Sequence, residues 1–305
     1  MAGALLEFNG VAKAYPALLR RRKVLEGFSL SVERGESVGL FGPNGAGKST
    51  ILHLAAGFLR PDAGKVLVDG RSPFCREARF AFGFVPENPN FPQGLSLQGL
   101  LELQMASLEG QLPAPWRQAE ELLAALDLLA VRKRQVSQFS RGMKQKVALV
   151  AALLGSPPLL LLDEPISGLD PQAVTVVRKL LQEHRARGGA LLISSHLLDE
   201  TVKVCDRAVF VKGGRIVHEW RATEDRHITL VVLFTPPAPP GVWQKLEGNP
   251  WVAALKPDSS TAELVLTGSG GVSPVLVELL ESGLHIQGVH QAEPSVEKVF
   301  LEVMQ

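Results

Sequence analysis

A glycine-rich segment near residue 45 has the composition of a phosphate-binding loop. The eight residues from Gly42 to Ser49 read GPNGAGKS, which fits the pattern GxxxxGK[ST] between a predicted strand and a predicted helix. Glycines let backbone N–H groups close around phosphate oxygens, and the start of the helix adds partial positive charge. We expect Lys48 to reach the β- and γ-phosphates of a nucleoside triphosphate and Ser49 to coordinate Mg²⁺. The residues expected to contact the nucleotide are Asn44, Gly45, Gly47, Lys48, Ser49 and Thr50.

Two carboxylates follow the apolar run 159–162. Four successive leucines have no polar face, which indicates a buried strand, and the next residues are Asp163 and Glu164. Ligands of open α/β sheets bind beyond the carboxyl ends of the strands. Asp163 is therefore the candidate Mg²⁺ ligand, directly or through water, and Glu164 the candidate group that polarises the attacking water. An apolar run ending in Asp-Glu is also common where a strand simply enters a turn, and the phosphate loop favours the catalytic interpretation.

The elements that must position these residues alternate between strand and helix. Such alternation indicates an α/β fold with a mostly parallel sheet covered on both faces. The predicted strands are 7–10, 24–42 (with a turn at 33–35), 159–162 and 190–194. The predicted helices are 48–57, 98–106, 119–129, 141–154 and 172–187.

The pattern changes after about residue 224. A strand at 228–234 is followed by a short helix, strands at 251–255 and 262–266, a helix at 273–281 and a strand at 285–289. This βαββαβ order is that of a small α+β domain of the ferredoxin-like type, followed by a final helix at 295–304. We therefore expect two domains, 1–224 and 225–305.

Further motifs carry a family resemblance. Residues 139–145 (FSRGMKQ) precede a predicted helix, residues 167–170 read SGLD, His196 follows the predicted strand 190–194, and Tyr15 lies upstream of the glycine loop. With the two motifs above, they resemble the signature, D-loop, switch histidine and adenine-stacking positions of ATP-binding-cassette (ABC) transporter nucleotide-binding subunits. The resemblance covers residues 5 to about 220. It implies a P-loop ATPase domain with a parallel core sheet, an antiparallel β edge subdomain and a helical subdomain.

The resemblance implies that ATP and Mg²⁺ are bound between two copies of the chain. Two chains would stack head to tail, so that ATP lies between Lys48 of one and Ser140 and Gly142 of the other, with Asp170 in the adjoining D-loop. Ser140 is also expected to cap its helix, whose positive end would face the γ-phosphate. His196 is expected to contact the γ-phosphate, although many lone histidines are simply core residues.

Two positions leave alternatives open or depart from the family pattern. Tyr15 is expected to stack on adenine, with Phe8 and nearby aliphatic residues as rivals and ordinary strand packing as the alternative. Glu87 stands where the family has the Gln of its Q-loop, and it is predicted to contact Mg²⁺ and to act in hydrolysis. Because an ionised Glu adds charge and cannot donate a hydrogen bond, metal affinity and coupling are in question. In the signature, Arg141 and Met143 replace the usual Gly and Gln.

Composition limits the remaining possibilities. Two cysteines without metal-ligand spacing argue against a disulfide or zinc framework, and the longest apolar runs fall short of the ~18 residues of a membrane span. The net charge is +1, and residues 226–305 hold 4 basic and 8 acidic side chains, so no nucleic-acid partner is expected. The basic run 20–23 is interpreted as solvated. For residues 225–305 we favour a structural brace that helps dimerisation over a ligand sensor.

The resemblance implies an ATP-hydrolysing subunit that acts with a separate integral membrane permease from the cytoplasmic face of the cell membrane. The signature, the Q-loop and the ending 294–300 are similar to the ABC-2 exporter group, in which the accessory ATPase of nitrous oxide reductase maturation has a similar length and Q-loop. The alternative is a soluble regulatory or nucleic-acid-associated ATPase of the same superfamily that is not coupled to transport.

Overall fold

Apolar runs without a polar face form the centre of a six-stranded sheet. In the computed structural model, which describes residues 4–16, 21–108, 116–221, 228–267 and 269–292, every residue of three of these strands is buried. The strands are β3 (Ser37–Phe41), β5 (Phe82–Val85), β6 (Leu159–Asp163), β7 (Ala190–Ser194), β8 (Arg207–Lys212) and β9 (Arg215–Arg221). Their spatial order is β5-β6-β7-β3-β8-β9, with parallel pairing from β5 through β8. The predicted parallel core sheet is confirmed, and its carboxyl ends meet at one edge.

A second, antiparallel sheet supports the phosphate loop. It contains β1 (Leu6–Pro16), β2 (Arg21–Val32) and β4 (Ala63–Val68) in the order β2-β1-β4. The pairing of β1 with β2 shifts register three times between Phe8 and Ala14, and such irregularities bend and twist a strand pair. This sheet is the predicted antiparallel edge subdomain.

Helices cover the parallel sheet and form the predicted helical subdomain. The helices are α1 (Lys48–Ala55), α2 (Leu97–Leu108), α3 (Trp116–Ala125), α4 (Arg141–Leu153), α5 (Pro171–Ala186) and α6 (Leu198–Val202). Leu101 of α2, Leu123 of α3 and Val147 of α4 are fully buried in one core cluster with β6. The helices α2, α3 and α4 all lie between β5 and β6 in the chain, so they form an insertion between two neighbouring strands.

The described residues from 228 to 292 form a second compact unit with its own core. Its elements are β10 (Ile228–Phe234), α7 (Val242–Glu247), β11 (Val252–Pro257), β12 (Thr261–Leu266), α8 (Val272–Glu281) and β13 (Ile286–Ala292). The order β11-β12-β10-β13, with every pairing antiparallel, is the ferredoxin-like arrangement that the βαββαβ pattern predicts. Val232, Leu264 and Leu279 are fully buried between the sheet and α8.

The structure also contains elements that the sequence pattern did not indicate. These are β4, β5, β8, β9 and α6, whose short and compositionally mixed segments carry no clear period. The predicted helix 119–129 is α3 followed by a short 3₁₀ turn. The proposed domain boundary at 224/225 and the predicted final helix 295–304 lie outside the described residues. In the described part of the chain, none of the helices has both the length and the hydropathy that a bilayer crossing requires.

One buried histidine makes the stability of the first unit depend on pH. His184 lies near the end of α5, is 7% exposed, and its Nε2 atom has no hydrogen-bond partner in the described structure. Burial lowers the pKa of this imidazole below its usual value, so the folded state favours the neutral ring.

We therefore expect stability to fall as the pH drops below the ordinary histidine pKa of about 6.5, because the unfolded chain then binds a proton that the folded chain resists. The slope from this group is at most about 1.4 kcal/mol per pH unit. Urea unfolding at pH 7.5 and 5.5 should show a smaller acid loss for His184→Leu than for wild type. A slope in His184→Leu equal to that of wild type would contradict the assignment.

Candidate active site

The carboxyl ends of β5, β6, β7 and β3 open into one cleft. Its volume is ≈ 950 Å³, near the upper end of small-molecule sites. The residues that line it are Tyr15, Pro16, Arg22, Val24, Asn44, Gly45, Gly47, Lys48, Ser49, Thr50, Glu87, Asp163, Glu164, Ser167 and His196. The structure thus brings together all of the residues that the sequence predicts for one half of the site.

The glycine loop between β3 and α1 requires glycine at two positions. Gly42 has φ +155°, and a Cβ there would lie 2.1 Å from the carbonyl oxygen of Val211. Gly47 has φ +110° and is the N-cap of α1, where glycine offers no side chain to bond the first-turn N–H groups. The first-turn N–H groups of α1 are therefore left to bind an anion in the cleft.

The side chain of Lys48 folds back over the glycine loop, so that its ammonium group bonds the loop backbone. Its Nζ donates hydrogen bonds to the carbonyl oxygens of Gly42 at 2.6 Å and Pro43 at 3.3 Å. Burial lowers the pKa of Lys48, and the negative charges of Glu164, Asp163 and Glu87 oppose that shift. One cation and three carboxylates therefore share this end of the cleft.

Asp163 is oriented by the neighbouring strand. It is 3% exposed and pairs in register with Ser194, whose Oγ donates to Asp163 Oδ1 at 2.5 Å. The Ser49 hydroxyl and the carboxylates of Asp163 and Glu87 are hard oxygen donors, which Mg²⁺ prefers. The described residues contain no cluster of three metal-ligating side chains of the His, Cys, Asp and Glu types. This donor set therefore fits an ion that is shared with phosphate oxygens rather than held in a protein cage.

Glu164 combines an unusual backbone with a perturbed carboxyl group. Its φ of +50° is in the left-handed region, which non-glycine residues rarely adopt. Burial raises the pKa of Glu164, and the nearby His196 and Lys48 oppose the rise. Its Oε2 lies 2.7 Å from Nδ1 of His196. The carboxylate is therefore held by a hydrogen bond, and burial makes it more basic than a carboxylate in water.

Tyr15 lies at the other end of the cleft. Its hydroxyl is 3.3 Å from Oγ1 of Thr50, so the ring is tied to the start of α1. Its predicted rival Phe8 is 1% exposed and packs edge-on against Phe28, with ring centroids 5.4 Å apart, in the core. Of these two aromatic residues only Tyr15 lines the cleft, although its stacking role stays a prediction.

Three predicted nucleotide contacts do not line this cleft. Ser140 caps α4 by accepting a hydrogen bond from the Met143 N–H at 3.2 Å, as the sequence predicts. Asp170 caps α5 in the same way, through Ala173. A Cβ on Gly142 would lie 3.0 Å from the carbonyl oxygen of Gly168, so the signature and the D-loop are in close contact. Their contacts with nucleotide, which are expected in the site of a second copy, stay predictions.

Sequence reasoning missed Arg22 as a residue of the cleft. It belongs to the run 20–23 that was interpreted as solvated, yet it pairs with Tyr15 across β1 and β2. Its Nη2 would lie 3.3 Å from a Cβ placed on Gly45, so the guanidinium reaches the glycine loop. The adjacent Lys23 instead pairs with Glu26 at 2.6 Å. Strand alternation could have indicated that Arg22 and Lys23 lie on opposite faces of β2. Choosing which of them faces the cleft requires the register between β2 and Tyr15 of β1, which the sequence does not give.

Comparisons with known proteins agree with this geometry. A model of the ABC transporter family matches residues 25–167. A probable ABC transporter ATP-binding protein of Azorhizobium caulinodans is 38% identical over 224 residues, covering 71% of this chain and 77% of the relative. The lipopolysaccharide export system ATP-binding protein LptB of Escherichia coli strain K12 is 33% identical over 239 residues, covering 75% and 97%.

Solved structures show the same fold. An ATP-binding subunit of an ABC transporter aligns with a TM-score of 0.67 and 33% identity, covering 73% of this chain and 92% of that one. A dimeric ATP-binding cassette in a post-hydrolysis state with ADP and phosphate aligns with a TM-score of 0.65 and 25% identity, covering 71% and 98%.

The glycine loop, the carboxylate pair and the sheet order together define an ABC-type P-loop ATPase domain. The chain belongs to the ATP-binding proteins of ABC transporters, and its activity is ATP hydrolysis.

The position of Arg22 between Tyr15 and the glycine loop generates a binding prediction. Arg22→Gln should weaken ATP and ADP binding about 10-fold, because a charge-assisted hydrogen bond to a phosphate is lost. Adenosine, which has no phosphate, should bind both proteins equally. Titration calorimetry with the three ligands measures the effect, and Lys23→Gln is the matched control on the opposite strand face. Equal ATP affinity in the two variants would contradict the assignment of Arg22.

Proposed function

We propose that this chain is the ATP-hydrolysing subunit of a transporter, closes as a homodimer on two molecules of ATP, and drives a separate membrane permease. The observation that carries the proposal is the division of the motifs. The cleft contains the phosphate loop and the carboxylates, whereas Ser140 and Gly142 of the same chain lie outside it. A second copy must therefore complete the site if all motifs serve one reaction.

In this proposal each chain grips ATP along its own cleft. Tyr15 stacks on adenine, Arg22 contacts the phosphates nearer the base, and Lys48 contacts the β- and γ-phosphates. Asn44, Gly45, Gly47 and Thr50 add contacts from the loop and the start of α1. Ser49, Asp163 and Glu87 would hold Mg²⁺, which neutralises charge on the phosphate oxygens when it is bound.

Hydrolysis then follows from the position of Glu164. Its carboxylate accepts a proton from a water whose oxygen attacks the γ-phosphorus, and the bond to the β–γ bridging oxygen breaks as ADP leaves. His196 contacts the γ-phosphate and holds Glu164 through the 2.7 Å hydrogen bond. The raised pKa of Glu164 supports this role, because a carboxylate in a desolvated site is a stronger base than one in water.

The partner chain closes the site from the other side. The α4 helix starts at Ser140, and its N-terminal N–H groups and positive dipole would meet the γ-phosphate of the ATP held by the partner. Gly142 lets the backbone approach the phosphate, and Asp170 belongs to the adjoining D-loop. A homologous cassette was solved as a dimer, which supports this arrangement.

Export through a permease of the ABC-2 type is the form of transport that we propose. The relatives named above are an ABC transporter ATP-binding protein and a lipopolysaccharide-export protein, which support a transport subunit and an outward direction. The SRGMKQ signature and the Q-loop with Glu87 favour the ABC-2 group and its nitrous oxide reductase maturation branch. The chain would act at the cytoplasmic face of the cell membrane, with residues 225–305 as a separate accessory domain that braces the dimer.

Dimer closure has a direct test. Glu164→Gln should form a dimer with ATP and Mg²⁺ and release no phosphate, because ATP stays between the two chains. Lys48→Ala in the same background should stay monomeric, since the phosphate grip is lost. Size-exclusion chromatography with light scattering measures the mass, and wild type should hydrolyse ATP under the same conditions. A monomer of Glu164→Gln at saturating ATP would contradict the homodimer.

Coupling to a permease is tested in membranes. We expect the tagged chain to co-purify with a polytopic membrane protein after detergent extraction, and ATP hydrolysis by the complex to exceed that of the isolated chain. Mass spectrometry identifies the partner. Recovery of nucleic acid instead of a membrane protein, with salt-sensitive binding, would favour the alternative of a nucleic-acid-associated ATPase.

A further inference from the structure

A buried glutamine connects the signature helix to the catalytic carboxylate. Gln145 lies in the second turn of α4 and is 1% exposed. Its Nε2 donates a hydrogen bond to the backbone carbonyl oxygen of Glu164 at 3.3 Å. Nearby positions of the helix, such as Val147 and Leu149, are buried in apolar surroundings. Burying an amide costs free energy unless the amide is hydrogen-bonded. The bond to Glu164 therefore explains how a polar side chain is accommodated at this position.

Gln145 bonds the backbone of Glu164, whose left-handed conformation is strained. A non-glycine residue in the left-handed region costs of order 1–3 kcal/mol and persists only where its surroundings fix it. The Glu164 N–H donates to the Ser194 carbonyl at 3.1 Å and lies 3.3 Å from its hydroxyl oxygen. The Glu164 carbonyl accepts from the Ser167 N–H at 3.1 Å and from Gln145. The residue is therefore clamped on both sides, and Gln145 supplies the contact from the helical subdomain.

The helix that carries Gln145 begins at Ser140. In the proposed dimer this helix start faces the ATP of the partner, whereas Glu164 acts on the ATP of its own chain. Five residues, about one and a half helical turns, therefore separate the contact with one nucleotide from the contact that fixes the base for the other. The same helix therefore carries the N-cap that is expected to meet the partner's ATP and the side chain that bonds Glu164.

We propose that Gln145 is a positioning residue, which holds Glu164 in its left-handed conformation and ties the catalytic carboxylate to the signature helix. The inference rests on the proposed dimer and goes beyond the motif roles, since Gln145 contacts neither nucleotide. It predicts that Gln145 contributes to turnover and not to the closing of the dimer. A purely structural brace would instead change stability, or would weaken dimer closure through a disordered α4.

The experiment compares Gln145→Met with the same substitution at a matched glutamine, Gln118 of α3, which bonds residues at the carboxyl end of α4. Gln118 is partly buried and bonds Leu153, Gly155 and Ser156, far from the cleft in the chain. Gln145→Met should lower kcat for ATP about 10-fold, because a misplaced base raises the barrier, and leave KM nearly unchanged. Gln118→Met should keep wild-type kcat, even if it lowers the unfolding midpoint.

A second measurement separates positioning from helix order. In the Glu164→Gln background, Gln145→Met should dimerise at the same ATP concentration as Glu164→Gln alone. If half-maximal dimerisation needs about 10-fold more ATP, Gln145 serves the signature helix and the proposal is overturned. A wild-type kcat in Gln145→Met overturns it as well.

Two controls keep the result clear. If Gln145→Met does not fold, Gln145→Leu replaces it, because leucine has a similar volume and no hydrogen-bond donor; the same loss of kcat is expected. If Glu164→Gln itself fails to dimerise while wild type hydrolyses ATP, the homodimer proposal fails. The effect of Gln145→Met on kcat then still decides whether it positions Glu164.

Discussion

The site depends on one constraint: a lysine ammonium and three carboxylates share the half-buried edge of a parallel sheet. Burial disfavours the charged forms of Lys48 and Glu164, which lowers the pKa of the lysine and raises that of the glutamate. The charges persist because each lies beside an opposite one, and because the parallel register from β5 to β3 fixes their spacing. Adding a highly charged anion and its cation to this edge then requires little rearrangement of the protein, which is how preorganised sites lower a barrier.

Many residues of this edge could be predicted from the sequence because they lie in short, continuous motifs. The glycine loop and the leucine run each combine a strand, a turn and a functional residue within about ten positions, so neither needs knowledge of distant contacts. The ferredoxin-like topology of the second unit was predictable for a similar reason, since its order of elements leaves few right-handed arrangements. Sequence order also placed His196 beside Asp163, because consecutive buried strands commonly pair in parallel.

The features that the sequence did not predict depend on strand register and on contacts between residues distant in the chain. Arg22 faces the cleft only because β1 and β2 pair with three register shifts, which no local pattern reports. The strand β8 is buried at five of its six residues and so lacks alternation, and the edge strand β5 has only four residues, too few for a clear pattern. The left-handed backbone of Glu164 is likewise fixed by Ser194 and Gln145, residues 30 and 19 positions away in the chain. Local propensity opposes this conformation and tertiary bonding imposes it.

The separation of Ser140 from the cleft of its own chain affects how the rate of ATP hydrolysis depends on the concentration of the subunit. If closure needs two copies, the rate of ATP consumption by unassembled chains scales with the square of their abundance. A small surplus of subunits over permeases would then stay nearly idle, and overproduction alone would raise futile consumption steeply. Because the site is divided between two chains, ATP consumption follows the number of assembled transporters, and no separate inhibitor is needed.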